Sequence, residues 1–154
     1  MVLTLLSDAF TTGEPIPVVH TCDGADTSPQ LSWRGAPADT RSFAIICTDP
    51  DAPVGVWCHW ALFDIPANIT TLAAGYATDA RVGETRQAIN DFRRSGYGGP
   101  CPPRGHGRHR YRFRLMALSV DHLDLIDPVD GHDAEREAER HLLADAVLTG
   151  TYGR

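Results

Sequence analysis

Two stretches of the chain hold side chains that could do chemistry. The first, Asp49-Pro50-Asp51-Ala52-Pro53-Val54-Gly55-Val56-Trp57-Cys58-His59, gathers two carboxylates, a tryptophan and a histidine around two prolines. The second is Gly99-Pro100-Cys101-Pro102-Pro103-Arg104-Gly105-His106-Gly107-Arg108-His109-Arg110-Tyr111. Histidine offers ring donors and a charge that switches near neutral pH, and tyrosine adds a hydroxyl donor. An aspartate beside a histidine fixes its tautomer and favours its charged form. Backbone amides of a glycine-rich loop can add an anion-binding concavity. Asp49, Asp51, His59, His109 and Tyr111 are therefore read as one inward-facing set. Together they suggest a small pocket for a phosphate or carboxylate, walled by Pro53, Trp57, Pro102 and Pro103. His20, His106, His122, His132 and His141 are read as histidines satisfied within core or loops.

His and Asp are also general acid–base groups, so the same set could move protons. It lacks a nucleophile. Cys58 falls on the strand face opposite His59, Cys101 lies among prolines, and no G-x-S-x-G elbow or H-E-x-x-H helix occurs. No catalytic residue is assigned. The four cysteines (22, 47, 58 and 101) show no CxxC spacing and are expected to be free and reduced. Ligand spacing gives no support to a zinc site from Cys58, Cys101 and His109, and neither a metal nor a cofactor is expected.

The elements that must hold these residues follow from local pattern. Prolines remove backbone donors and disfavour helix, so 49–57 is expected to be a rigid loop, with a cis Ala52–Pro53 peptide at its turn. The run 43–48 is apolar on both faces and reads as a central strand. His59 to Ile65 is its expected antiparallel neighbour, with His59, Ala61, Phe63 and Ile65 on one face. The glycine- and proline-rich segment 90–107 is a long loop of the kind that is usually functional. His109, Tyr111, Phe113, Leu115 and Ala117 then alternate with Arg110, Arg112 and Arg114, giving a strand over 110–118 with an arginine face toward solvent. Residues 1–8 read as an edge strand, 18–20 as a short strand, 31–33 as an alternating segment and 70–72 as a strand or turn. In the tail, Asp133 can cap a helix over 134–148, with Ala134, Ala138, Leu142 and Ala146 as its apolar stripe.

Composition sets the limits. At 154 residues, 42% apolar and 22% charged, the chain reads as one domain, 1–154, with a real core. The net charge of −6 argues against nucleic acid as the main partner, although half of the 14 basic residues lie between Arg93 and Arg114. Every basic residue is arginine, which excludes a Schiff-base lysine and a Walker-type phosphate loop. No apolar run is long enough to cross a membrane as a helix, and the first residues lack a basic n-region. The cytoplasm is the expected location.

Asp49-Pro50-Asp51-Ala52-Pro53, Trp57-Cys58-His59-Trp60 and the run from Gly99 to Tyr111 resemble the phosphatidylethanolamine-binding protein family, also called Raf kinase inhibitor proteins. Ser28-Pro29-Gln30-Leu31-Ser32-Trp33, Asn90-Asp91-Phe92 with Gly96-Tyr97, and Gly150-Thr151-Tyr152-Gly153 extend the likeness over nearly the whole chain. It is closest to the short bacterial and archaeal branch, since only Val54-Gly55-Val56 separates Pro53 from Trp57. The resemblance implies a mainly β fold, two antiparallel sheets with a few peripheral helices including a C-terminal one. It also implies a pocket for small anions of phosphate, carboxylate or phosphorylethanolamine type. Asp49, Pro53, Trp57 and His59 match the first motif; Gly99, Cys101, His109 and Tyr111 match the second, with Cys101 standing where animal members have glycine. Cys58 replaces a second histidine of the animal proteins, so that role does not carry over, and kinase inhibition carries over poorly. A regulatory protein partner, or inhibition of a protease or kinase by a surface loop, is implied by analogy only, and a homodimer is allowed.

Overall fold

In the computed structural model, which describes residues 2–154, the strands are β1 (Thr4–Leu6), β2 (Leu31–Arg34), β3 (Ser42–Asp49), β4 (Trp57–Pro66), β5 (Thr71–Leu72), β6 (Arg81–Val82), β7 (Thr85–Gln87), β8 (His109–Leu118) and β9 (Leu142–Tyr152), with one helix, α1 (Gly131–Glu139). They form two antiparallel sheets, β1-β2-β5 and β6-β7-β4-β3-β8-β9. The expected β-rich architecture of two antiparallel sheets is what the chain adopts.

The run read as central is central. Every residue of β3 is buried, and it lies between β4 and β8 in the larger sheet. Its pleat sends Phe43, Ile45 and Cys47 toward the smaller sheet, where they pack with Leu31, Trp33, Phe113 and Leu115. Ala44 and Ile46 face the other way, toward Phe63, Met116, Ala134 and Ala138 beneath α1. β8 alternates as its sequence indicates, with Tyr111, Phe113, Leu115 and Ala117 in the first cluster. Its arginine face is only partly solvated: Arg114 bonds Glu135 and Glu139 of α1 and Asp145 of β9, at 3.0, 2.6 and 2.9 Å.

β4 departs from strict alternation. Thr48 pairs with Cys58 and Cys47 with Trp60, so His59 is an extra residue, a β-bulge; a second irregularity opposite Ala44 places Asp64 at φ 57°. The bulges redistribute the faces. Trp60, Leu62 and Ile65 enter the first cluster, whereas Cys58, Ala61 and Phe63 enter the second. The expected single face of His59, Ala61, Phe63 and Ile65 is therefore corrected, because each inserted residue resets the two-residue period.

Four further expectations are corrected. The tail is not one helix over 134–148: α1 ends at Glu139, and Leu142–Tyr152 is the edge strand β9, paired with β8 from Leu118↔Leu142 to His109↔Tyr152. Asp130, rather than Asp133, caps the helix, accepting from the amides of His132 and Asp133. The stripe of Ala134 and Ala138 is real, but beyond it pairing with β8 outweighs helical spacing. Residues 18–20 form a 3₁₀ turn, not a strand. Among the described residues the cis peptide joins Asp127 to Pro128, so Ala52–Pro53 is trans. Seven residues, Pro50 to Val56, separate β3 from β4, enough chain to reverse direction with Gly55 at φ 109°.

Candidate functional site

A cavity of about 230 Å³ opens where the C-terminal end of β3, the start of β4 and the start of β8 meet the 90–103 loop. Asp49, His59, His109 and Tyr111 supply its polar groups; Ala52, Pro53, Val54, Trp57, Phe92, Cys101, Pro102 and Pro103 complete its wall. Seven of the eight residues matched by the family resemblance thus come together. Gly99 does not line the cavity. Its amide donates to the Asp26 carboxylate at 2.7 Å, and a side chain there would run into that carboxylate and the His20 carbonyl. Its role is to let two loops approach behind the wall. Phe92 had no chemical signal in the sequence; it lies edge-on to both Trp57 and His59, at 5.4 and 5.2 Å between centroids.

His59 reaches the cavity because it is the bulged residue of β4, a common way to aim a side chain at a site. Gly98 pins it twice: the Gly98 amide donates to the His59 carbonyl at 2.9 Å, and His59 Nδ1 lies 2.6 Å from the Gly98 carbonyl oxygen. Nδ1 therefore carries a proton, and Nε2 is the nitrogen that can take up another. Burial lowers the His59 pKa below its ordinary value, although the Gly98 carbonyl and the Asp49 charge oppose the shift. The ring is therefore neutral at pH 7.

Asp49 ends β3 and is buried. One carboxylate oxygen accepts the Asp51 amide at 2.8 Å, and the other lies 2.6 Å from His109 Nδ1. His109, also buried, uses its second nitrogen as well: Nε2 lies 2.6 Å from Nδ1 of His106. His106, read from sequence as an ordinary loop histidine, thus joins the site from outside. A three-residue offset across a loop carries no periodic signal, so only the fold reveals the pairing. Asp51 leaves the inward set. Its carboxylate accepts the Arg110 amide and guanidinium at 2.8 to 3.0 Å, and these bonds hold its pKa down to about 2.

Two donors of the wall have no partner among the described residues. The Tyr111 hydroxyl and the Trp57 indole N–H are buried and make no hydrogen bond. Tyr111 stacks near His109 and lies edge-on to His59, and burial followed by the Asp49 charge raises its hydroxyl pKa, so it stays a donor.

The cysteine expectation is overturned. Cys22 and Cys101, 79 residues apart in sequence, form a disulfide with Cα atoms 5.4 Å apart. No spacing rule reports a pair created by two loops meeting. The same contact is drawn together by the Cys22 amide on the Pro100 carbonyl and by the Tyr97 hydroxyl on the His20 carbonyl. Cys47 and Cys58 are free and buried; burial raises the Cys58 thiol to about 12. Cys58 packs in the cluster under α1, so Cys58, Cys101 and His109 do not converge. Among the described residues no three His, Cys, Asp or Glu side chains are grouped to hold a metal ion, and no helix is long and apolar enough to cross a membrane.

Comparison with known proteins returns a consistent answer. The UPF0098 protein of Aquifex aeolicus is 45% identical over 153 residues, which cover 99% of this chain and 90% of that one. The UPF0098 protein of Methanothermobacter thermautotrophicus is 43% identical and is covered to 99%. The crystal structure of Escherichia coli YbcL, described as a member of the mammalian PEBP family, superimposes with a TM-score of 0.93 at 32% identity, covering 100% of this chain and 99% of that one. A family model described as phosphatidylethanolamine-binding protein matches residues 6–153, and the chain belongs to that family.

Proposed function

We propose that the cavity binds a small ligand bearing an oxyanion, a phosphate, phosphate ester or carboxylate, and that the chain is a binding module with a regulatory role through a partner protein. The observation that carries this reading is the pair of unpartnered donors, the Tyr111 hydroxyl and the Trp57 indole N–H, on residues that line the cavity. A buried donor left unsatisfied costs roughly 1–3 kcal/mol, and an oxygen acceptor relieves that cost. The apolar wall of Pro53, Val54, Phe92, Pro102 and Pro103 suits the carbon body of such a ligand. Charge comes with the ligand: an anion beside His59 favours proton uptake at Nε2 and opposes the lowering by burial.

The coupling has a definite sign. Affinity is flat above the His59 pKa of the complex, rises as pH falls toward the pKa of the free protein, and levels off below it. Titration with sulfate, whose charge is constant over this range, isolates the protein's contribution. At fixed pH, phosphate titration by calorimetry should show His59→Ala weakening binding by roughly tenfold to a hundredfold, for a charge-assisted bond of about 1.5–3 kcal/mol. Tyr111→Phe should cost less, and Arg112→Ala, on the exposed face of β8, should change little. Equal small losses in all three variants would refute the site.

A second reading, acid–base catalysis on a small anionic metabolite, draws on the short Asp49–His109 contact. Covalent catalysis has less support, since Cys101 is bonded to Cys22 and the Cys58 thiol is buried elsewhere. Turnover of a bound ester, abolished by Asp49→Asn with binding retained, would favour the enzyme over the binding module.

A further inference from the structure

Of the polar groups in the cavity wall, His109 alone has both ring nitrogens engaged by side chains: Nδ1 by Asp49, Nε2 by His106. The first partner is buried and built into the sheet. The second is exposed, on a tip running from Pro103 to Arg108 in which every residue is exposed. We propose that His106 is a tethered competitor of the ligand, capping His109 Nε2 in the empty site and surrendering it when an oxyanion enters; this rests on the anion-binding reading above.

The tip is built for such an exchange. Gly105 and Gly107 flank His106 at φ 76° and 87°, a left-handed backbone that glycine adopts without strain, and no heavy atom lies within 4 Å of where a side chain would start at either. The turn itself is held by the Gly105 amide on the Arg154 carbonyl and the His106 amide on the Pro103 carbonyl, both at 3.1 Å. The imidazole can therefore leave by rotating its own side-chain bonds, without moving the backbone. The two rings approach edge to face, 4.8 Å between centroids, so one proton on the N···N line serves both. When His106 departs as the neutral Nε2–H tautomer, that proton stays with His109, whose ring becomes an imidazolium held by the Asp49 carboxylate. His109 then donates Nδ1–H to Asp49 and Nε2–H to a ligand oxygen, adding its donor to those of Tyr111, Trp57 and His59.

Histidine-labelled protein tests this by nitrogen NMR, with inorganic phosphate as the probe. The ligand-free protein should show a through-hydrogen-bond coupling between His106 Nδ1 and His109 Nε2, and saturation with phosphate should abolish it. His106→Ala should bind phosphate about tenfold to a hundredfold more tightly than the natural chain, the gain expected from removing one competing charge-assisted hydrogen bond. His106→Gln, whose amide can still reach His109, should return affinity toward the natural value. A coupling that persists at saturation, or a His106→Ala affinity equal to or weaker than natural, overturns the competitor while leaving the pocket intact. If neither the natural chain nor His106→Ala binds phosphate or sulfate, the anion-binding reading fails and the competitor falls with it.

Discussion

The disulfide between Cys22 and Cys101 should be a main source of global stability. It closes a loop of 79 residues in sequence separation, from the 3₁₀ turn near the start of the chain to the cavity wall. Chain-entropy arguments give about 4.5 kcal/mol for a loop of that size. For a chain of this length each kcal/mol moves the midpoint by about 2–4 °C, so reduction should lower the melting temperature by about 9–18 °C. The segments it joins are otherwise linked by a few hydrogen bonds, those of Cys22 to Pro100, Tyr97 to His20 and Gly99 to Asp26. Those bonds should keep the reduced protein folded at room temperature. Calorimetric scans with and without reductant, and of a Cys22→Ala/Cys101→Ala double variant, measure the effect; reduced protein and variant should agree. Thiol titration of denatured, unreduced protein should find two thiols, Cys47 and Cys58. Four reactive thiols, or a melting temperature unmoved by reduction, would refute the reasoning.

Stability should also fall on mild acidification. His59 is buried with a lowered pKa, so its contribution is complete above the unfolded value of about 6.5 and is lost as pH falls through the folded value. Urea melts at pH 7 and pH 5 should converge more closely in His59→Asn than in the natural chain; identical pH slopes would contradict this. Asp51, held at about 2 by Arg110, should add a second loss that begins below about pH 4, and Arg110→Ala should remove it. Arg114→Met should destabilise by about 1.5–3 kcal/mol, since it leaves Glu135, Glu139 and Asp145 facing one another without their shared cation. A change below 0.5 kcal/mol in denaturant midpoints would mean solvent screens the cluster.

Periodicity and residue type alone determined a good deal. A run apolar on both sides has to lie inside a sheet, which fixed β3 at the centre; strict alternation from His109 made β8 legible with its inward and outward faces. Prolines and glycines marked the two loops, and the concentration of His, Asp and Tyr beside them pointed to the cavity, with Asp51 the one member of that set that turns away. These are local signals, written within a few residues of where they act.

What tertiary structure decided involves partners distant in sequence or small irregularities of register. One extra residue at His59 turned its side chain into the cavity and reset the faces of β4, and alternation counted in twos cannot register an insertion. The tail from Leu142 became strand because β8 offered an open edge, and a helical spacing of alanines and leucines cannot report that edge. Asp51 turned to Arg110, Cys22 met Cys101, and His106 met His109, each by the convergence of separate loops or the turning of one. Residue types show which bonds are chemically available; only the folded chain brings the atoms within reach and so selects among them.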